Sequence, residues 1–207
     1  MLRRGREEKA SGRPIPYDAD RPAVAAAARD PQRFEALYRK YVAQVYSFAV
    51  YELRDHHAAE DLTEQVFLQA LSGLPRFEER GEGDDSTFRV WLFQIARHQV
   101  SNVRRYQRRH PTAPLEAAWE IAGPDDVART AVDRDAAARA WRAVDQLPPE
   151  RRLALLLRFV DELSAREIGE VLGRSEGAAR VLVHRALKAV AQELESSAGP
   201  DEHSRPS

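Results

Sequence analysis

The chain has 207 residues, 43% hydrophobic and 31% charged, with 32 Lys and Arg against 33 Asp and Glu and a formal net charge of -1. That composition suits one or two small folded domains, and the near-balance of charge excludes a bulk attraction for polyanions, so any nucleic-acid affinity must come from segregated charge. The absence of cysteine excludes disulfides, thiolate zinc sites and thiol nucleophiles and fits a reducing, cytoplasmic setting, while no apolar run is long enough for direct membrane insertion.

Residues 1–29 mix Arg, Gly, Pro and small side chains without periodicity and are predicted to be a disordered leader, with at most an Ala-rich helical turn over Val24–Arg29. The leader is basic but lacks the apolar core of a signal peptide. Asp30 followed by Pro31 is a helix start. Phe34, Leu37, Tyr38, Tyr41, Val42, Val45, Tyr46 and Ala49 then recur at helical spacing over 32–52. Asp55 caps a helix over 56–73 with Leu62, Val66, Phe67, Ala70 and Leu71 on one face and Glu60, Asp61, Glu64, Gln65 and Gln69 on the other. A polar loop from Glu78 to Thr87 contains five acids. Ser86 or Thr87 is expected to cap the next helix, which runs to His110.

That helix has two characters. Phe88, Trp91, Leu92 and Ile95 fall at i, i+3, i+4 and i+7, one apolar face. From Arg97 onward, Arg97, Arg104, Arg105, Arg108 and Arg109 appear with no acid among them, interleaved with His98, Ser101 and Asn102. An anchored start and a positive end suit a nucleic-acid backbone, with the polar residues available to base edges or phosphates. The bland counterpart is a solvated Arg-rich helix end favoured by the helix dipole.

Residues 111–134 hold three prolines and a glycine and read as a flexible interdomain linker, with a helical turn near Leu115–Trp119. A helix over 133–146 places Ala136, Ala140, Trp141 and Val144 inward. Pro148-Pro149 restarts a helix with Leu153, Leu156, Leu157 and Val160 as its stripe. Ser164 and Glu167 form a capping box for a short helix over 165–172. Gly173-Arg174-Ser175 turns the chain into a longer helix over 176–194, with Ile168, Leu172, Ala179 and Leu182 at the corner, the shape of a helix-turn-helix. Residues 196–207 are predicted to be a disordered tail. The fold class is all-α: two small helical domains over 30–110 and 135–195, the second containing the helix-turn-helix.

Catalytic chemistry needs converging groups, and none is legible. The six histidines make no metal-ligand spacing, no glycine loop cradles phosphate, and no cofactor, metal or catalytic residue is expected. Binding remains. The second helix of a helix-turn-helix enters the major groove by its N-terminal residues, which points to Ser175, Glu176, Ala178 and Arg180, with Arg174, His184, Arg185 and Lys188 on phosphates.

The two blocks, in this order and spacing, resemble the extracytoplasmic-function (group IV) sigma factors of bacterial RNA polymerase. DHHAAEDLTEQVFLQALSGLPRF is similar to the polymerase-binding part of region 2, TFRVWLFQIARHQVSNVRRYQRR to the segments that melt and read the −10 element, and LPPERRLALLLRFVDELSAREIGEVLGRSEGAARVLVHRALKAV to region 4, the −35 reader. The resemblance implies that Asp61, Leu62, Glu64, Gln65 and Phe67, in a DLxQExF-like motif with its Gln-Glu order reversed, bind the polymerase clamp. It implies that Arg97, His98, Ser101, Asn102, Arg104, Arg105 and Arg108 meet the −10 element, His98 and Asn102 replacing the usual Asn and Asp. The acidic loop corresponds to the segment that holds a flipped-out base.

In region 4 the family's EGTVKSRLHRA appears as EGAARVLVHRA, so Ala178, Arg180, Val181 and Leu182 stand for Thr, Lys, Ser and Arg. The implied partners are core RNA polymerase, promoter DNA and an anti-sigma factor. The alternative is a helix-turn-helix regulator that acts without being a polymerase subunit.

Overall fold

A computed structural model describes residues 19–81, 86–110 and 131–197. The expected leader over 1–18, most of the expected linker (111–130) and the tail beyond 197 lie outside the described residues. Within them the chain is all-helical: α1 (Arg21–Arg29), α2 (Phe34–Leu53), α3 (His56–Gly73), α4 (Phe88–Arg109), α5 (Ala131–Asp145), α6 (Pro149–Phe159), α7 (Ala165–Leu172) and α8 (Glu176–Ser197).

α2, α3 and α4 pack as a bundle because each carries a helical-period apolar stripe. Leu37, Tyr41, Val45 and Phe48 of α2 meet Leu62, Val66 and Phe67 of α3 and Phe88, Leu92 and Phe93 of α4, all buried. Edge-to-face ring pairs set the layers, Phe34 on Phe67 at 6.3 Å and Phe48 on Phe93 at 5.7 Å between centroids. Asp55 caps α3 as expected, its Oδ1 accepting from the Ala58 N–H at 3.0 Å.

The leader ends earlier than expected. Residues 21–29 form α1, whose Val24 and Ala27, three apart, are buried against the bundle. The Asp20 carboxylate anchors it, accepting from Lys40 Nζ at 2.6 Å and from the Tyr41 hydroxyl. An Ala-rich sequence gives little periodic signal, so tertiary packing decided this helix. At the other end of the expected linker, 131–134 already belong to α5. Ala136, expected inward, is exposed, and among the described side chains of that helix Ala143 is the buried one. Its Trp141 ring stacks at 4.6 Å on Tyr51 of α2.

α7 and α8 form the helix-turn-helix, with α6 packed against both. Pro149 opens α6 at a position where its missing N–H costs nothing. The capping box is present: Ser164 Oγ accepts from the Glu167 N–H at 3.2 Å while the Ser164 N–H donates to Glu167 Oε2 at 2.8 Å. Gly173 closes α7 at φ 67°, the left-handed conformation that favours glycine. Gly169 matters for space, because a Cβ there would stand 2.8 Å from the Arg174 carbonyl oxygen.

The two blocks are not independent bodies. Leu157, Ile168 and Val171 share one hydrophobic cluster with the stripes of α2, α3 and α4, and α7 lies against α4. This explains why nearly every residue from Phe88 to Phe93 is buried, where one apolar face was expected: the bundle covers one side of α4 and α7 the other.

Candidate nucleic-acid interface

The basic half of α4 divides into committed and uncommitted charge. Arg97 Nη1 donates to the Val171 carbonyl at 3.1 Å, and the neighbouring Gln94 Nε2 donates to the Glu170 carbonyl at 3.0 Å. Both cap the open C-terminal carbonyls of α7, where a cation also complements the helix dipole. Arg104 Nη2 spans α4 and α2, 2.7 Å from Glu52 Oε2 and 2.8 Å from the Glu52 carbonyl. Arg105, Arg108 and Arg109 are exposed and make no ion pair among the described residues. His98 and Ser101 are exposed and Asn102 is half-buried. Tyr106, 64% exposed, stacks on His110 at 4.5 Å amid these arginines. It was passed over in the sequence, although an aromatic among arginines was the available signal.

The loop before α4 is organised by Glu79. Its Oε1 accepts from the backbone N–H groups of Arg80, Gly81 and Thr87 at 2.9, 2.9 and 2.8 Å, and its Oε2 from Ser86 Oγ at 2.5 Å. Partial burial by itself pushes this carboxyl up, but the hydrogen bonds from Ser86, Thr87 and Gly81 outweigh it and hold Glu79 below its ordinary value. Ser86 Oγ also accepts from the Phe88 N–H at 3.1 Å, so Ser86, and not the Thr87 side chain, caps α4. Beside the loop is a recess of about 250 Å³ lined by Arg76, Arg80, Thr87, Trp91 and Gln94, with Glu170 of α7 on its wall. Residues 82–85 of the acidic loop lie outside the described residues.

Between α4 and α7 sits a buried ion pair that sequence reading missed. Arg89 Nε and Nη2 donate to Glu167 Oε1 at 2.9 and 2.7 Å, with a further bond from Nη2 to Oε2 at 2.8 Å, and Glu167 is fully buried. Glu167 therefore serves at once as the capping-box acid and as the partner of the other block. Asp161, also buried, has no hydrogen-bond partner for either carboxyl oxygen among the described residues. Desolvation raises it well above the ordinary Asp value, against the opposing pull of Arg89. An arginine after a Ser-Thr helix start carries no sequence signature of burial, which is why Arg89 was invisible.

On α8 the inward residues are Ala179 and Ala186, both buried. The outward face runs through Gly177, Ala178, Val181, His184, Arg185 and Lys188, all exposed. Arg180 pairs with Glu176 one turn back, and Arg174 Nη2 lies 2.8 Å from Glu150 Oε1. Ser175 Oγ accepts from the Ala178 N–H at 3.2 Å, capping α8. Of the residues expected to face DNA there, Arg185 and Lys188 carry charge with no ion pair among the described residues.

The third surface is the outer side of α3. Asp61, Glu64 and Gln65 are exposed, whereas Leu62 and Phe67 are buried at 1% and 5% and hold the bundle together. The exposed stripe continues to Leu68, 58% exposed and seven residues beyond Asp61. With Tyr38 and Glu64 it borders a groove of about 650 Å³ between α2 and α3. Leu68 was absent from the expected contacts, yet its position off the buried stripe was readable from the period alone.

Two family descriptions match the chain: Sigma-70 region 2 over residues 37–110, and Sigma-70, region 4 over residues 137–190. It is 33% identical over 141 residues to the ECF RNA polymerase sigma factor SigD of Mycobacterium tuberculosis, a match covering 66% of this chain and 63% of that relative, so the chain spans less than two thirds of that relative's length. It is 31% identical over 180 residues to ECF RNA polymerase sigma factor SigC of the same species, covering 84% of this chain and 89% of the relative. In fold it is similar to CnrH, solved in complex with the cytosolic domain of CnrY, with a TM-score of 0.63 at 22% identity over 86% of this chain and 99% of that one. The chain belongs to the extracytoplasmic-function sigma factors of the sigma-70 family.

Proposed function

We propose that the protein is a promoter-specificity subunit of bacterial RNA polymerase, delivering the enzyme to −10 and −35 elements and performing no catalysis itself. The observation that carries this reading is the pairing of two exposed basic surfaces, at the end of α4 and on the outer face of α8, with region 2 and region 4 matches in that order. Arg105 and Arg108 hold phosphates near the −10 element, His98, Ser101 and Asn102 face its bases, and Tyr106 offers a ring on which an unpaired base stacks. The recess beside Glu79 receives an extruded base, and the loop it rims is kept in shape by the hydrogen bonds that the Glu79 carboxylate accepts. Asp61, Glu64, Gln65 and Leu68 on α3 meet core polymerase, with Leu62 and Phe67 supporting them from within. The favoured setting is the cytoplasm; no described helix is long and apolar enough to cross a membrane.

Arg97 and the recess are both engaged by α7 in the packed arrangement. Reaching DNA through them requires α7 to leave α4. The buried ion pair adds little to the cost of that exchange, since both ions regain hydration when the interface opens. An anti-sigma factor, expected from the resemblance, would act by holding these same surfaces.

The region 2 match over the Asp61–Leu68 stripe favours a polymerase subunit over a free-standing regulator. In vitro transcription with core polymerase on a promoter library tests the choice. Initiation from a defined promoter class that depends on the protein is expected. Specific promoter binding in the absence of polymerase, with no stimulation of initiation, would favour the regulator instead.

A further inference from the structure

The outward face of α8 holds one residue whose chemistry differs from the rest. Val181 is 48% exposed in the second turn. Isolated apolar residues are common on surfaces, so exposure alone says little; the setting is what matters. The preceding turn presents Gly177 and Ala178, and a Cβ placed on Gly177 would meet nothing within 4 Å. No bulky side chain therefore stands in front of the Val181 methyls or keeps the first turns of α8 from a deep groove. Ala178, Val181 and Leu182 line a concavity of about 520 Å³ together with Arg151, Arg185 and the Arg174–Glu150 ion pair. Apolar groups between guanidinium groups match a duplex seen from the major groove, where phosphates flank base edges and thymine alone offers a methyl group.

We infer that Val181 is a specificity-determining residue that reads a thymine C5-methyl group in the −35 element. This rests on the promoter-binding reading of α8 and adds to it the kind of base recognised. Val181 stands where the family has Ser, so the surface it offers to a base edge is apolar in place of polar, while Leu182, in place of Arg, packs against the core. Recognition at this position then differs from that of the flanking cations: it responds to a methyl group and is insensitive to salt.

The test uses the full chain with core polymerase on a promoter selected from a random library. Each thymine of the upstream element is replaced in turn by deoxyuridine, which removes only the methyl group, and holoenzyme binding is measured by competition. At one position the replacement is expected to weaken binding roughly four-fold, the value of burying one methyl group. Val181→Ala, at an exposed helical site where alanine is the better helix former, should keep the fold, which thermal unfolding verifies, and should abolish the thymine–deoxyuridine difference. The ratio should hold steady as salt rises while overall affinity falls. Equal binding of thymine and deoxyuridine at every position, an unchanged ratio in Val181→Ala, or a selected upstream element without thymine overturns the assignment. Failure of the holoenzyme to protect any upstream element removes the promoter reading of α8 itself, an outcome distinct from protection without methyl discrimination.

Discussion

Along α4, Arg89, Arg97 and Arg104 donate to Glu167, the Val171 carbonyl and Glu52, whereas on α8 Arg185 and Lys188 stand exposed without an ion pair among the described residues. In sequence α4 is the more basic, with six arginines and no acid, whereas α8 sets Arg180, Arg185 and Lys188 against Glu176, Glu193 and Glu195. In α4 much of that charge holds protein to protein, and Arg105, Arg108 and Arg109 stand exposed without an ion pair among the described residues. In α8 small residues and Val181 sit among the free cations. Counting arginines thus overstates the charge that α4 leaves exposed. Charge buried in an interface is directional and costly to strip of its partner, whereas exposed charge is screened and interchangeable.

The largest effect should come from the most committed cation. Arg89→Met leaves Glu167 and Asp161 as two buried carboxyl groups without a cation and should cost about 3–5 kcal/mol of the packed arrangement. Denaturation midpoints should fall and small-angle scattering should show a larger radius of gyration. If neither changes, α4 does not hold the two blocks together through Arg89 and the contrast with α8 collapses.

Next is the turn on which the α8 face depends. Gly169→Ala forces a Cβ to within 2.8 Å of the Arg174 carbonyl oxygen, a backbone clash worth about 1–3 kcal/mol. Thermal unfolding should show the loss, and promoters should lose upstream protection before the α4 contacts weaken.

A finer division runs within α4 itself. Arg105→Ala should lower the dependence of log binding constant on log salt by about one, with stability unchanged. Arg104→Ala should do the reverse, costing about 1 kcal/mol of stability by orphaning the buried Glu52 carboxylate and leaving the salt slope intact. Equal changes in slope for both variants would erase the distinction between committed and free charge.

The smallest effect is a pH dependence at the interface. Burial raises the folded-state pKa of Asp161 above its unfolded value. Its contribution to stability is therefore full below the unfolded carboxylate range and is lost as pH rises through the raised folded value. Asp161→Asn should be more stable than the parent at neutral pH, with the gap closing as the solution is made acidic. Midpoints measured across pH for both proteins check this, and a gap that widens in acid would contradict it.

Much of this organisation follows from local signals. Helical periods marked α2, α3, α4, α6 and α8, and Asp55, Ser164 and Gly173 act at helix ends as their chemistry requires. The helix-turn-helix and the basic end of α4 were legible because spacing and charge are properties of a single segment. The resemblance supplied the candidate site residues, among which Leu62 and Phe67 are buried in the bundle.

Relations between segments were not legible. Arg89 and Glu167 stand 78 positions apart, and neither the doubled burial of α4 nor the capping of α7 by Gln94 and Arg97 leaves a periodic trace. α1 hides in an Ala-rich run, and the availability of Arg105 against Arg104 depends on where Glu52 lies. By itself the sequence determined helices, their ends, the turn of the helix-turn-helix and which stretches are basic, since these arise from interactions within a few residues. Which charges are buried, which are free, and that Val181 lies bare among arginines was decided only when α4 met α7 and α8 turned over Gly169. Desolvation and partnering are set by neighbours distant in the chain.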